Sequence, residues 1–264
     1  TVECPVCRNA DISSYQLKSK SQKQEYNHFL VPEYMDISTG LKSHIDYKYL
    51  AVTVCNKCLF ASPDIKDFNR TFLKLNREEK SETPIPVIRK FPSKKEKLRA
   101  IVCGIEAENR ENYFNRPRDY NAAVTSYLLS LVRAEVETEV DIKLAYYKMG
   151  AYMLKIAAIK KNEGIRNITD IETACKYMED AYQNTPDDKP EILARVVYLS
   201  TALNMALGRN NKARQYLQLF TKIKKSEMNT SQKTDSTLNK WENKSRNLWE
   251  DRERGDLFRD EIQE

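Results

Sequence analysis

The sequence predicts a mainly α-helical protein in two parts: a small cysteine-closed β module, then a longer helical-repeat domain. Three observations carry this prediction. Two Cys-x-x-Cys pairs, Cys4 with Cys7 and Cys55 with Cys58, lie in the first part of the chain. Glycine is scarce, 6 of 264 residues, and 31% of residues are charged, a balance that suits helices better than a β-sandwich. From Ser93 onward, apolar residues recur at three- and four-residue intervals between capping and breaking residues.

Residues 1–68 read as short strands and loops. Val2 and Glu3, residues 15–17 and residues 49–54 have the β-branched and aromatic content of strands. The polar run KSKSQKQE at 18–25 predicts a loop or an exposed strand end. Pro84, Pro86 and Pro92 are expected to interrupt any helix, because proline lacks a backbone N–H and crowds the preceding turn. They place the domain boundary across 78–93.

Helices with clear punctuation follow. Ser93 and Glu96 have the spacing of a capping box. Pro117 and Asp119 precede a predicted helix over 120–137, and another runs over 139–162 and stops at Gly164. Thr169 and Glu172 predict a second capping box, on a helix ending before Pro186. Asp188 and Glu191 open the next helix, which stops at Gly208; Asn210 or Asn211 caps another, to Lys224. A polar stretch at 228–236 leads into a last helix from 237 through Trp249.

Within these helices, Ala213, Tyr216, Leu217, Phe220 and Ile223 form one apolar stripe. Ala123, Val124, Tyr127, Leu128, Leu131 and Val132 form a broader face, as expected of a helix between two others. A small-then-large signature recurs: Tyr120, Ala123 and Tyr127; Ala174, Met178, Ala181 and Pro186; Gly208, Ala213, Leu217 and Phe220. It is similar to the tetratricopeptide (TPR) pattern, in which small residues let paired helices approach and bulky ones fill the groove. The spacing from Ala123 to Ala174 and from Ala174 to Ala213 exceeds the usual repeat of about 34 residues. An irregular helical bundle is the alternative to a TPR-like superhelix.

Cys4, Cys7, Cys55 and Cys58 have zinc-ribbon spacing. Zinc takes four soft ligands in a tetrahedron, at about 2.3 Å from each sulfur. Each Cys-x-x-Cys turn supplies two thiolates from one knuckle, so two knuckles complete the shell. Four sulfurs leave no open position, and the expected cofactor is therefore one structural zinc ion. It would stabilise a segment too polar to fold on its own core. Redox chemistry normally uses one pair ahead of a helix in a βαβ unit, and none is visible. A disulfide inside either pair would close a very short loop and stabilise little. His28 and His44 lie between the pairs and are expected as surface or packing residues. Cys103 and Cys175 sit alone in helical patterns and are expected as small buried apolar groups.

The formal net charge of +6 resides in residues 1–100, with 18 Lys and Arg against 12 Asp and Glu; residues 101–264 hold 26 of each. Arg89, Lys90, Lys94, Lys95, Lys97 and Arg99 form the strongest cluster, a candidate contact for a polyanion or a protein partner. The alternative is a solvated linker and first helical turn. Only Phe91 interrupts the cluster, whereas nucleic-acid readers usually carry more aromatics. Trp241 and Trp249, near Leu238 and Leu248, fit one face of a closing helix packed on the array. A partner-binding face is their other reading. No Ser/His/Asp or Cys/His set, P-loop or Gly-x-Gly-x-x-Gly is present. The pairs Glu78-Glu79 and Asp187-Asp188 suit loop or cap positions better than acid–base chemistry.

Taken together, CPVC at 4–7, the Tyr-rich approach to VCNKC at 54–58, Phe60-Ala61 and Phe68 resemble the uncharacterised bacterial domain-of-unknown-function family 2225. The resemblance extends over most of the chain, to Lys240-Trp241 and Trp249-Glu250. Asn56 stands where the family usually has Pro, and Leu59 where Gly is usual, so the second knuckle is expected to turn less tightly. The resemblance implies a zinc-ribbon-like module and TPR-like helices, and no enzyme activity. Its occurrence in spirochaetes, where TPR-like proteins help build flagellar motors, suggests part of a larger assembly.

The expected organisation is a zinc module at 1–77, a proline-containing linker at 78–92, a TPR-like domain at 93–253 and a charged tail at 254–264. The expected function is a non-enzymatic scaffold or adaptor binding protein partners through its helices. A nucleic-acid-binding zinc ribbon using residues 89–99 is the alternative. No run approaches the 18 apolar residues of a membrane span, and a cytoplasmic location is favoured. The chain begins at Thr1 and not at Met, which leaves room ahead of it for a targeting segment that would change that expectation.

Overall fold

The structure is a computed structural model that describes residues 1–17, 22–41, 43, 45–72, 77–186, 189–226 and 232–263. It is mainly α-helical, with small strand pairs towards the N-terminus. β1 (Gln22–Tyr26) pairs with β2 (Pro32–Asp36), β3 (Thr53–Val54) with β4 (Ala61–Ser62), and β5 (Arg70–Phe72) with β6 (Arg77–Glu79). The helices are α1 (Ile85–Lys90), α2 (Lys95–Ile101), α3 (Arg110–Phe114), α4 (Tyr120–Glu139), α5 (Ala145–Asn162), α6 (Ile168–Asn184), α7 (Pro190–Ala206), α8 (Asn210–Ser226) and α9 (Gln232–Glu250). The chain divides into two compact units, Thr1–Glu25 with Pro32–Ile142, and Tyr26–Val31 with Lys143–Glu264.

That division differs from the one the prolines suggested. Residues 78–92 lie inside the first unit and include α1. Pro84 precedes α1 and Pro86 falls in its first turn, where a backbone N–H has no helical acceptor to lose. The prolines therefore start a helix, and Val87 and Phe91 anchor it in the core. Glu78 and Glu79 belong to β6 and not to a loop. The strand expectations were too long: Val2 and Glu3 form isolated bridges to Ile12 and Asn69, residues 15–17 are not a strand, and 49–54 yields only β3.

The core of the first unit is aromatic. Phe60 meets Phe68 and Phe91 edge-on, at centroid distances of 5.4 and 5.2 Å. α4 packs on β4, α1, α2 and α3. Its Tyr127 hydroxyl donates to the Lys48 carbonyl at 3.1 Å. Its Arg133 side chain is buried and holds Asp67 at 2.8 Å, Glu137 at 2.6 Å and the Ser62 hydroxyl at 3.0 Å. The same guanidinium lies 5.6 Å from the Phe60 ring centre. The Tyr120–Tyr127 repeat signature thus sits on a helix of the first unit.

In the second unit α5, α6, α7 and α8 pack in succession, and α9 packs on α7 and α8. Gly150 lets α5 approach α6, because a Cβ there would stand 2.6 Å from Met178 Cε. Ala174, Met178 and Ala181 of the second signature are buried, as are Ala213 and Phe220 of the third. Gly164 and Gly208 have φ of 68° and 70° and end α5 and α7 as expected. The capping boxes are not formed. Ser93 lies in a 3₁₀ turn at Phe91–Lys94, and Thr169 lies inside α6. Asp187, Asp188 and residues 227–231 lie outside the described residues.

Residues 251–263 pack onto the second unit and do not form a free tail. Asn167 is fully buried and donates to the carbonyls of Ala157 and Glu261, at 3.0 and 2.8 Å. It also exchanges backbone and side-chain bonds with Gln263, whose N–H reaches the Asn167 side chain at 2.9 Å. His28 pairs its Nδ1 with Glu261 at 2.8 Å, and Phe29 stacks on Phe258 at 5.5 Å.

Replacing Arg133 by Met leaves Asp67 and Glu137 without the cation they share. A loss of about 3–5 kcal/mol in the first unit is expected, read as faster hydrogen exchange across α4; unchanged protection there would show the triad is not a stabilising element. The Glu261 carboxylate, chiefly through its hydrogen bond, holds the His28 pKa above the ordinary value of 6.5, against partial burial. A raised pKa means the pair stabilises fully below about pH 6.5 and progressively less as pH climbs through the folded value. Thermal unfolding of the second unit should accordingly shift down over that range, and His28→Phe should flatten the shift.

Candidate metal centre

Two turns of the same form build the centre. In the first, the Arg8 N–H donates to the Cys4 carbonyl at 3.0 Å and the Cys4 N–H to the Asn9 carbonyl at 2.8 Å. In the second, Leu59 donates to Cys55 at 2.8 Å and Cys55 to Phe60 at 2.9 Å. Each turn closes through a residue of positive φ, Arg8 at 61° and Leu59 at 66°. The second knuckle therefore turns as tightly as the first, against expectation, and Leu59 adopts the left-handed conformation despite its side chain. Burial of that side chain, 4% exposed, offsets the backbone strain.

Asn56 has its own role. The Asn9 amide donates to the Asn56 side-chain oxygen at 2.8 Å and approaches the Cys55 sulfur at 3.9 Å. One buried amide thus ties the two knuckles together beside the sulfurs. Sequence reasoning missed Asn9; its place two residues after Cys7 is the only signal that could have marked it.

The Sγ atoms of Cys4, Cys7, Cys55 and Cys58 all lie within 4.8 Å of one another. The pairs Cys4–Cys58 and Cys7–Cys55 stand at 3.5 Å, each joining one knuckle to the other. A tetrahedron with metal–sulfur bonds of about 2.3 Å has edges of about 3.8 Å, so this cage can hold one metal ion. Cys4 and Cys55 are buried, Cys58 is partly covered and Cys7 is exposed, giving the site a closed side and an open rim. Hydrogen bonds from the Cys4 and Cys58 thiols, with the backbone N–H groups of Cys58 and Lys57, push the Cys55 pKa far down. Sharing a proton with Cys55 pushes Cys4 up, and bonds to Cys4 and Cys55 do the same for Cys58. The Cys55 thiolate forms readily; those of Cys4 and Cys58 need a cation to replace their protons.

His28 belongs to the second unit and pairs with Glu261, and His44 lies outside the described residues. Cys175 is buried, and burial pushes its thiol up to about 12. Cys103 is exposed in the turn after α2, which ends at Ile101, two residues before it.

The basic cluster is largely engaged. Lys90 and Lys94 both pair with Glu139, Lys97 with Glu135, and Arg99 with Glu96. Arg89 and Lys95 are exposed. Trp241 is half-buried against Tyr198, with centroids 5.4 Å apart, and Arg195 and Lys244 lie near its ring. Trp249 is half-buried too, with Arg252 at 5.0 Å from its ring. Leu238 and Leu248 are buried beside them on the packed face of α9.

The chain belongs to the bacterial family described as an uncharacterized protein conserved in bacteria (DUF2225), whose model matches residues 1–250. Comparison with curated proteins and with solved structures finds no match.

The two positive-φ residues should respond oppositely to glycine. Arg8 is exposed, so Arg8→Gly relieves left-handed strain and should raise the stability of the first unit by about 0.5–1 kcal/mol. Leu59→Gly should lower it by about 2 kcal/mol, because the lost burial exceeds the relief. Thermal unfolding in the presence of metal measures both, and a gain from Leu59→Gly would contradict the burial argument.

Proposed function

We propose that this family member is a non-enzymatic scaffold or adaptor whose four cysteines hold one structural zinc ion. The closed sulfur cage is the observation that carries the reading. Four ligands fill a tetrahedral shell and leave no place for water or substrate. The second knuckle is tied to an aromatic core, which suits a metal that holds a surface in shape. Four cysteines held as zinc ligands fit a reducing compartment such as the cytoplasm. No helix among the described residues is long and apolar enough to cross a membrane.

The helices of the second unit would supply the partner surface in a TPR-like stack. Successive packing of α5 to α8 and the close approach at Gly150 support that arrangement. A protein or peptide is the proposed partner, and the family's occurrence in spirochaetes makes a flagellar accessory structure one setting to examine. The competing reading, nucleic-acid binding through residues 89–99, loses support from the ion pairs that occupy Lys90, Lys94 and Lys97.

Metal analysis of the purified protein should give about one zinc per chain. Cys55→Ser should abolish it and loosen exchange protection in residues 1–77, while most of the helical circular dichroism persists. Affinity capture from the native host, run in parallel on both proteins, should return a common partner set that depends on the second unit. Retention on a polyanion column with steep salt dependence, and no protein partner, would overturn the scaffold reading.

A further inference from the structure

The second unit contains a cleft of about 730 Å³ between the end of α5, the turn from α7 to α8 and the C-terminal segment. That volume lies within the usual range for small-molecule sites, roughly 300–1,000 Å³. Four cationic side chains, Lys161, Arg252, Arg254 and Arg259, line it against a single carboxylate, Asp256. Two of the four are answered locally. Arg252 meets Glu253 at 3.1 Å, and Arg254 meets Asp256 at 3.5 Å and Asp251 at 4.0 Å. Lys161 donates to the neutral Gln263 side-chain oxygen at 3.3 Å, and Arg259 is exposed. The 17-residue helix α8 begins at the cleft with Asn210, and its first turn carries no acidic residue. The amides of that turn add positive potential to a cleft in which Lys161 and Arg259 meet no carboxylate among the described residues.

We infer that this cleft binds a small polyanion carrying two or more oxyanion groups, phosphate or carboxylate. Lys161 and Arg259 are two cations without a carboxylate, so a single negative charge would leave one of them unmatched, and arginine forks match oxyanions of both kinds. The surface is concave and local, not the extended basic stripe that tracks a nucleic-acid backbone. The cations are also built in, because Asn167 and Glu261 fix the segment that carries Arg252, Arg254 and Arg259. None of these residues belongs to the cysteine centre, so the site is independent of the zinc reading.

Calorimetric titration of the full-length protein with pyrophosphate, ATP and citrate, at about 0.1 M salt, tests the inference. Saturable binding at one site per chain is expected for at least one of the three. It should weaken about tenfold or more in Arg259→Glu and in Lys161→Glu, the size of one charged hydrogen bond. Lys95→Glu, in the first unit, should bind as the native chain does. Preference for pyrophosphate and ATP would assign phosphate; preference for citrate would assign carboxylate. Circular dichroism checks each variant's fold, and Arg254→Glu replaces any variant that fails. No saturable binding, equal affinity in the cleft variants, or binding confined to a polyglutamate peptide would overturn the inference.

Discussion

Four thiols within 4.8 Å of one another impose the condition on which the first unit rests. The first proton leaves easily, because the remaining thiols and nearby amides solvate the sulfur. The protons of Cys4 and Cys58 are harder to remove, because a new thiolate there would face the Cys55 thiolate across a partly buried gap. A divalent cation resolves the conflict by taking the place of the protons. β3 and β4 are two residues long, and strand pairs of that size are not stable alone.

From the second knuckle the dependence runs outward through one residue. Phe60 accepts the Cys55 N–H at its carbonyl, so its ring is aimed by the same turn that aims the sulfur. That ring meets Phe68, Phe91 and the Arg133 guanidinium. Arg133 in turn gathers Asp67 and Glu137, one from the cysteine-bearing segment and one from α4 itself. Burying one cation with two carboxylates is costly unless hydrogen bonds complete it, and Ser62 and Thr83 do so at Asp67. The triad therefore fixes where α4 lies on the module as well as holding it there. Apolar contact alone would allow α4 to slide; a three-way charge contact has one solution.

The parts of this arrangement that could be read from sequence are those written in local pattern. The cysteine spacing marks the ligands, Gly164 and Gly208 mark helix ends, and the apolar stripe of α8 marks its buried face. Local pattern also misled. Pro84 and Pro86 look like breakers, yet at a helix start the missing N–H costs nothing. Thr169 and Glu172 match a capping box, yet α6 starts one residue before Thr169, and the side chain of Asn167 is drawn instead to the C-terminal segment. Pairings such as Asp67 with Arg133 or His28 with Glu261 leave no local trace. Their partners stand 66 and 233 residues apart, and each looks like an ordinary surface charge until the fold brings it inside.

The C-terminal segment shows how composition hides structure. Residues 251–263 are rich in both charges, which reads as a solvated tail. Three residues reverse that outcome: Phe258 stacks on Phe29, Glu261 binds His28 and Asn167 takes the backbone. A short segment of one 3₁₀ turn and further turns, docked by so few contacts, leaves most of its other side chains outward. Here, interleaved with Asp251, Glu253, Asp256 and Asp260, the exposed side chains include Arg252, Arg254 and Arg259. Their concentration on one side of a cleft follows from the docking itself, since a segment fixed by Phe258 and Glu261 cannot rotate to spread its charge. The same contacts that remove the tail's freedom thus place three arginines along a concavity of the second unit.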